Sequence, residues 1–87
     1  MNFSNAIEAL KAGKKVTRTG WNGKGMYLFL LDGDKLRGAL DGDYEECVML
    51  PTIAMFTHNS TGRKAILFGW LASQSDMLGN DWEILNE

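Results

Sequence analysis

The segment from Gly69 to Trp82, GWLASQSDMLGNDW, carries the side chains best suited to bind a polar aromatic ligand. It places Trp70, the amide of Gln74 and the carboxylates of Asp76 and Asp81 within fourteen residues. Indole rings stack on bases, while amides and carboxylates hydrogen-bond to hydroxyl groups and base edges. Either tryptophan of the segment also suits a hydrophobic core. The alternative for Trp70 is a position at the edge of a pocket, beside Gln74 and Asp76.

This segment is predicted to fold as a short helix, a turn and a strand. The helix is predicted over 73–78, because its first residue is a serine that can cap the free N–H groups. Asp76 suits the positive end of the helix dipole. Gly79 and Asn80 tolerate left-handed backbone angles and are therefore expected to end the helix. The final strand, over 82–85, begins with a tryptophan that we assign to the core.

A second candidate binding segment is the glycine-rich loop GWNGKGM, from Gly20 to Met26. Its three glycines allow tight turns and let a ligand approach the backbone. The loop lacks the Lys-Ser/Thr ending of a phosphate-binding P-loop, and no long helix follows it as in a dinucleotide-binding fold. Trp21 either folds back on the core or contacts a partner, and both interpretations stay open.

Length and composition indicate one globular domain, residues 1–87, with a net charge of −2 that argues against a DNA- or RNA-binding protein. The sequence shows no signal peptide and no apolar run of membrane-spanning length, so we expect a cytoplasmic protein without membrane association. Cys47 is the sole cysteine and His58 the sole histidine, which predicts neither a disulfide nor a zinc site. A chain this short without cross-links is expected to gain burial by oligomerisation.

The charges are unevenly distributed along the chain. A run of cations without intervening acids precedes the first long apolar stretch, and acids crowd the middle of the chain. The cations are Lys11, Lys14, Lys15, Arg18 and Lys24. This basic segment either faces an anionic small molecule or forms a solvated surface.

The hydrophobic pattern predicts an α+β fold: a small, mainly antiparallel sheet with an N-terminal helix and a short C-terminal helix. The first helix starts at Asn2 or Ser4, ends at Gly13 and docks its apolar face on the sheet. The run Tyr27–Leu31 is apolar on both faces, which indicates a central strand. Further strands are predicted near 16–18, 52–57, 63–68 and 82–85. The segment from Lys35 to Glu46 is expected to form a loose hairpin.

No catalytic arrangement is visible in the sequence. A serine–histidine–acid triad has to use His58, which lies in a predicted turn. Asp76 and Asp81 offer a carboxylate pair, but a helix cap and a turn residue explain them more simply. We therefore expect no enzymatic activity, no cofactor and no metal ion. A nucleotide-processing enzyme and a module that binds a host protein remain the alternative interpretations.

Most of the chain resembles the second Thoeris anti-defence family, small phage proteins that sequester nucleotide immune signals. The resemblance lies in NFSNAIEALKAGKKVTRTGWNGKGMYLFL, in PTIAM and in WLASQSDMLGNDWEI, while the segment from Asp32 to Val48 has no counterpart. It implies a homo-oligomer, a dimer at least and a homotetramer in the family, with ligand bound between subunits. The implied ligand is a cyclic ADP-ribose made by bacterial Thoeris TIR proteins and held intact, so that the downstream effector stays inactive. Some members also hold cyclic oligonucleotides.

The resemblance implies roles for side chains in the matching motifs. Trp21 and Trp70 would stack on adenine or form the wall of the pocket. Gln74, Asp76 and Asp81 would bind ribose hydroxyls or the adenine edge.

The same resemblance implies a phosphate site in the glycine-rich loop. Asn22 and the backbone amides of Gly23 and Gly25 would line the phosphates. Arg18 or Lys24 would supply the positive charge.

Overall fold

The computed structural model describes residues 1–21, 25–33, 37–38, 42–44 and 46–86. In chain order the elements are α1 (Phe3–Lys11), β1 (Lys15–Arg18), β2 (Tyr27–Leu31), a 3-10 helix (Gly42–Tyr44), β3 (Thr52–His58), β4 (Lys64–Phe68), α2 (Gln74–Leu78) and β5 (Trp82–Leu85). The strands form one five-stranded sheet in the order β4-β3-β2-β1-β5. Every neighbouring pair is antiparallel, which confirms the predicted α+β fold.

Strand β2 lies at the centre of the sheet, between β1 and β3, as its apolar pattern predicted. The loose hairpin predicted from Lys35 to Glu46 falls mainly outside the described residues. Where that segment is described, Gly42–Tyr44 forms a 3-10 helix and no strand is present. No helix in the described part of the chain has the length and apolar character needed to cross a membrane.

Helix α1 covers one face of the sheet. The side chain of Asn2 accepts a hydrogen bond from the backbone N–H of Asn5 at 2.9 Å, so Asn2 rather than Ser4 is the N-cap. The helix contacts β1, β2 and β5, which confirms the predicted docking of its apolar face. The core cluster that includes α1 contains the almost fully buried side chains of Ala6, Leu10, Val16, Leu28 and Trp82.

The opposite face of the sheet is aromatic over β2, β3 and β4. Tyr27 and Phe56 are cross-strand partners whose rings stack at 4.9 Å. Phe29 lies on the same face of β2, and Phe68 of β4 is 60% exposed. Strand β2 is therefore apolar on both sides because one side packs under α1 and the other belongs to this aromatic surface.

Gly79 ends α2 for a reason that differs from the prediction. Its φ is −73°, and no non-glycine residue, including Asn80, has a positive φ in the described chain, so the expected left-handed ending is wrong. Glycine is needed at this position because a larger residue has no room for its side chain. A Cβ at this position would lie 2.9 Å from both Arg18 Nη2 and Asp81 Oδ1.

Gly13 ends α1 as predicted, and it does so in a left-handed conformation with a φ of 86°. The N–H groups of Gly13 and Lys14 donate to the carbonyl oxygens of Leu10 and Ala9, both at 3.0 Å. These two bonds form a Schellman motif, in which the last carbonyl groups of the helix are satisfied.

Gly13→Ala is expected to lower the free energy of unfolding by about 1 kcal/mol, because a Cβ strains a left-handed backbone. No atom lies within 4 Å of the position that this Cβ would occupy, so the loss reports backbone strain alone. Gly13→Asn is the matched control and should lose less, since asparagine tolerates this conformation. Urea unfolding of the three proteins measures the difference. Equal stability of Gly13→Ala and the parent protein would contradict the assignment.

Candidate functional site

Three parts of the chain meet where β1 ends: the glycine-rich loop, α2 and the start of β5. Antiparallel pairing sets Arg18, the last residue of β1, opposite Trp82, the first residue of β5. The chain continues from Arg18 to Trp21, while α2 supplies Asp76 and the residue before β5 is Asp81. The sheet thereby joins side chains that lie up to 63 positions apart in sequence.

Asp76 is the charged residue at the centre of this junction, and it is only 8% exposed. Its Oδ1 accepts hydrogen bonds from Arg18 Nη1 at 2.8 Å and from Trp21 Nε1 at 3.1 Å. Its Oδ2 accepts from the Ser73 N–H at 2.9 Å, and Ser73 Oγ accepts in return from the Asp76 N–H. This capping box confirms Ser73 as the N-cap and fixes the carboxylate at the first turn of α2.

Arg18 also holds a second carboxylate. Its Nε donates to Asp81 Oδ1 at 2.9 Å, and the N–H of Gly20 donates to Asp81 Oδ2 at 2.8 Å. A Cβ on Gly20 would lie 2.8 Å from that same oxygen, so glycine gives the loop room to approach the acid. The guanidinium therefore bridges β1 to α2 and to the start of β5.

These contacts keep all three groups charged. Burial raises the pKa of Asp76, but hydrogen bonds from Ser73, Trp21 and Arg18 outweigh it and hold that pKa below the ordinary 3.8. The hydrogen bond from Arg18 is the main cause that lowers the pKa of Asp81. Bonds to Asp76 and Asp81 raise the pKa of Arg18. Neither carboxylate is therefore poised as a general acid near neutral pH.

Trp21, Trp70 and Trp82 pack edge to face in a tryptophan network, and two of them donate hydrogen bonds to Asp76. Ring centroids are 5.4 Å apart for Trp21 and Trp82, 6.2 Å for Trp21 and Trp70, and 6.3 Å for Trp70 and Trp82. Trp82 is buried, as predicted, and its Nε1 donates to the Asp76 carbonyl at 2.9 Å. Trp21 and Trp70 are half-buried against the core. Trp21 thus folds back on the core and still keeps part of its surface accessible.

The structure brings half of the ten predicted ligand-binding residues together. They are Arg18, Trp21, Trp70, Asp76 and Asp81. Gln74 lies exposed at the start of α2. Gly25 is exposed with a φ of 75°, and a Cβ on it would lie 4.0 Å from the ring of His58. The predictions for Asn22, Gly23 and Lys24 fall outside the described residues.

Sequence reasoning missed that the predicted ligand-binding charges bind each other. Arg18 lies 58 positions from Asp76 and 63 from Asp81, so no local spacing reveals the pairing. The available signal was the strand order. Once β1 and β5 lie side by side, Arg18 faces residue 82 and both acids come within a few residues of it.

The described residues form no metal-binding cluster, and an open cavity lies away from the tryptophans. No group of three or more His, Cys, Asp or Glu side chains is arranged there to hold a metal ion. An open cavity of about 280 Å³ lies at the far end of the β1–β5 pair, away from the tryptophans. Its lining residues are Gly13, Lys14, Lys15, Ile84, Leu85 and Asn86. The tryptophan network remains the better candidate because it unites the residues of both predicted binding segments.

Comparison with known proteins identifies the family. The model of the Thoeris anti-defense 2-like domain matches residues 1–85. A relative from Bacillus phage SP01, "Thoeris anti-defense 2", is 37% identical over 86 residues, which are 99% of this chain and 96% of that relative. The chain belongs to the Thoeris anti-defense 2-like family.

Membership in the Thoeris anti-defense 2-like family confirms the resemblance found in the sequence motifs. The match runs through the segment from Asp32 to Val48, for which the motifs had no counterpart. The tryptophan network and the glycine-rich loop both lie within the matched range, so the family relationship includes the whole candidate site.

Asp76→Asn is expected to lower the free energy of unfolding at pH 7 by roughly 2–4 kcal/mol, because it leaves Arg18 and Trp21 without their charged acceptor. The lowered pKa of Asp76 also makes a prediction about acid. Its ionised form stabilises the native state above the ordinary value of 3.8, and this contribution is lost as pH falls through the lower folded-state pKa. As the pH falls below about 4, the free energy of unfolding should therefore decrease less for Asp76→Asn than for the parent protein.

The control for Asp76→Asn is Glu8→Gln. Glu8 forms an exposed pair with Lys11 at 3.7 Å, and such surface pairs contribute little. Denaturant unfolding at a series of pH values measures both variants. If Asp76→Asn and Glu8→Gln have the same free energy of unfolding at pH 7, the structural role assigned to Asp76 is wrong.

Proposed function

We propose that this protein binds and sequesters a cyclic ADP-ribose-type signalling nucleotide, the product of a bacterial Thoeris TIR protein, without degrading it. Sequestration withholds the signal from the effector that it activates, and so protects an infecting phage. The protein acts in the cytoplasm of the infected bacterium and is not an enzyme. Its partners are nucleotides of this kind, including cyclic oligonucleotides, rather than DNA, RNA or membrane.

The observation that carries this proposal is the half-buried pair Trp21 and Trp70, whose rings lie 6.2 Å apart beside the glycine-rich loop. Stacking a base on an aromatic side chain contributes about 1–3 kcal/mol. A hydrogen bond to Asp76 fixes the orientation of Trp21, so little side-chain entropy is lost on binding. A pre-ordered aromatic site in a member of this family supports nucleotide binding.

The internal hydrogen bonds support a positioning role for Arg18, Asp76 and Asp81. One cation faces two anions, so this cluster repels phosphate rather than attracting it. We therefore assign phosphate binding to the glycine-rich loop, with its backbone amides and a lysine. The residues assigned there are Asn22, Gly23, Lys24 and Gly25. Gln74, exposed on α2, is assigned to ribose hydroxyls or the adenine edge.

The proposed assembly is a homotetramer with ligand between subunits. Leu71, which follows Trp70, is 88% exposed, and Leu78, the last residue of α2, is 76% exposed. Exposed apolar side chains around a half-buried site are typical of a surface that another subunit completes. These two leucines support a site whose wall is finished by a second copy.

The test of sequestration is recovery of the ligand. Excess protein is mixed with a cyclic ADP-ribose isomer, freed of unbound nucleotide, denatured by heat, and the released material is chromatographed beside the input. An unchanged cyclic nucleotide is expected, since Asp76 and Asp81 are both ion-paired with Arg18 and neither is poised for acid–base catalysis. A linear or hydrolysed product would establish an enzyme. Retention of no nucleotide would favour the host-protein module.

Trp21→Ala is expected to weaken nucleotide binding roughly tenfold to a hundredfold, because the stacking surface is lost. Trp21→Phe is the matched variant: it keeps an aromatic face but loses the N–H that donates to Asp76. It should bind better than Trp21→Ala. Tyr44→Ala removes a half-exposed aromatic outside the network and serves as the control. Calorimetric titration and thermal unfolding on the same samples separate binding from stability, and undiminished binding by folded Trp21→Ala would refute the site.

A further inference from the structure

The chain exposes more surface than a monomeric protein of its size. Its accessible surface is 6303 Å², whereas a monomer of 9.7 kDa exposes about 5,100 Å². Its radius of gyration is 14.2 Å, against about 12 Å for a compact domain of this length.

Strand β4 carries three consecutive exposed apolar side chains. Ile66 is 51%, Leu67 52% and Phe68 60% exposed. Successive side chains of a strand point to opposite faces, so Ile66 and Phe68 lie on the aromatic face and Leu67 on the α1 face. A partner stacked on one face of the sheet would leave the other face of β4 in water. A strand paired to the free edge of β4 would place its own side chains beside those of β4 on both faces.

The two edges of the sheet differ in how they are covered. At β5, the N–H of Trp82 donates to the Met1 carbonyl at 3.1 Å, and the Met1 amino group donates to the Trp82 carbonyl at 2.8 Å. At β4, the described chain supplies β3 on one side and no strand on the other. Protected edges usually carry charges, prolines or bulges. β4 has Lys64 at its first position and apolar residues after it.

The hydrogen-bond phase of the β3–β4 hairpin determines which groups face this open edge. The N–H of Asn59 donates to the Arg63 carbonyl at 2.8 Å, so these residues form a hydrogen-bonded pair. Such pairs alternate with non-hydrogen-bonded ones along an antiparallel ladder. Counting along the register places Ile66 and Phe56 in a non-hydrogen-bonded pair. The N–H and C=O of Ile66 therefore point away from β3, as do those of the first and last residues of β4.

We propose that β4 pairs antiparallel with β4 of a second copy, across a twofold axis at Ile66, to form a continuous sheet through both subunits. The strand is self-complementary in this register. Ile66 lies opposite the same residue of the second copy, and Lys64 lies opposite Phe68, so no like charges meet. The outward backbone groups supply about six hydrogen bonds. An isologous contact of this kind closes as a dimer rather than growing into a fibre.

The pairing also places the second copy beside the candidate site, a consequence that rests on the proposed function. Trp70 follows β4 by two residues, and its N–H still bonds to Ile53 of β3 at 2.9 Å. Continued in the same register, the hairpin turn of the second copy runs alongside Trp70. That turn, residues 59–62, contains an asparagine, a serine and a threonine. It would bring polar groups to a nucleotide stacked on the tryptophans.

Ile66→Pro tests the pairing, because it removes an N–H that faces the open edge and leaves the β3–β4 ladder intact. The mass in solution, measured by light scattering at micromolar concentration, is expected to fall by half or more relative to the parent. Ile66→Lys should do the same by placing two like charges opposite each other. Ile66→Val, which keeps an apolar strand former, should retain the parent mass. Circular dichroism establishes that each variant is folded.

Cysteine cross-linking tests the register. In a Cys47→Ser background, Ile66→Cys should form a disulfide-linked dimer on mild oxidation, because paired residues across antiparallel strands lie about 5.5 Å apart. Lys64→Cys, also exposed on β4, should not cross-link, since residue 64 of the second copy lies four residues away along the ladder. Non-reducing electrophoresis distinguishes the two.

A monomeric parent protein, an unchanged mass for folded Ile66→Pro and Ile66→Lys, or cross-linking at residue 64 instead of 66 would each overturn the pairing. Nucleotide titration of the same variants is read separately. A parent protein that assembles through β4 but binds no cyclic nucleotide would overturn the proposed function and leave the pairing standing. A parent protein that binds nucleotide but fails the mass and cross-linking tests would overturn the pairing and leave the proposed function standing.

Discussion

The hydrogen bond of 2.8 Å between Arg18 and Asp76 is the interaction on which the rest of the site depends. Both side chains are largely buried, with 14% and 11% of their surface exposed. A buried ion pair contributes little net stability compared with apolar residues, but loss of one partner is costly because a charge is left unpaired. The pair therefore specifies a geometry: it joins the end of β1 to α2 and holds Trp21 by the same carboxylate oxygen.

This arrangement explains why a site rich in acids need not be a catalytic one. Asp76 and Asp81 are each satisfied by Arg18 and by backbone N–H groups, and their pKa values lie below the ordinary range. A proton donor or acceptor near neutral pH needs the opposite perturbation. The acids instead stiffen the support beneath two half-buried indole rings. Rigid aromatic surfaces on a fixed scaffold suit a protein whose proposed task is to hold a nucleotide unchanged.

The sequence predicted the fold well because its signals are local. Alternation and apolar runs located all five strands within a few residues, and Ser73 and Gly13 marked helix ends by their own backbone chemistry. Gly79 was misjudged because its constraint is not local: the space it leaves is occupied by Arg18 and Asp81. The roles of those two charges were missed for the same reason, since their pairing appears only when β1 and β5 are adjacent.

In the proposed site, Asp76 orients Trp21, Trp70 packs against Trp21, and both rings receive a base, while Trp82 belongs to the core. Indole N–H resonances of the isotope-labelled protein, followed during titration with a cyclic ADP-ribose isomer, test it most directly. The Trp21 and Trp70 signals are expected to shift with saturation, through ring currents of the bound base. The signal of the Trp82 N–H, which donates to the Asp76 carbonyl, is expected to move least. Saturable binding that leaves Trp21 and Trp70 unmoved, or that shifts Trp82 most, would contradict it.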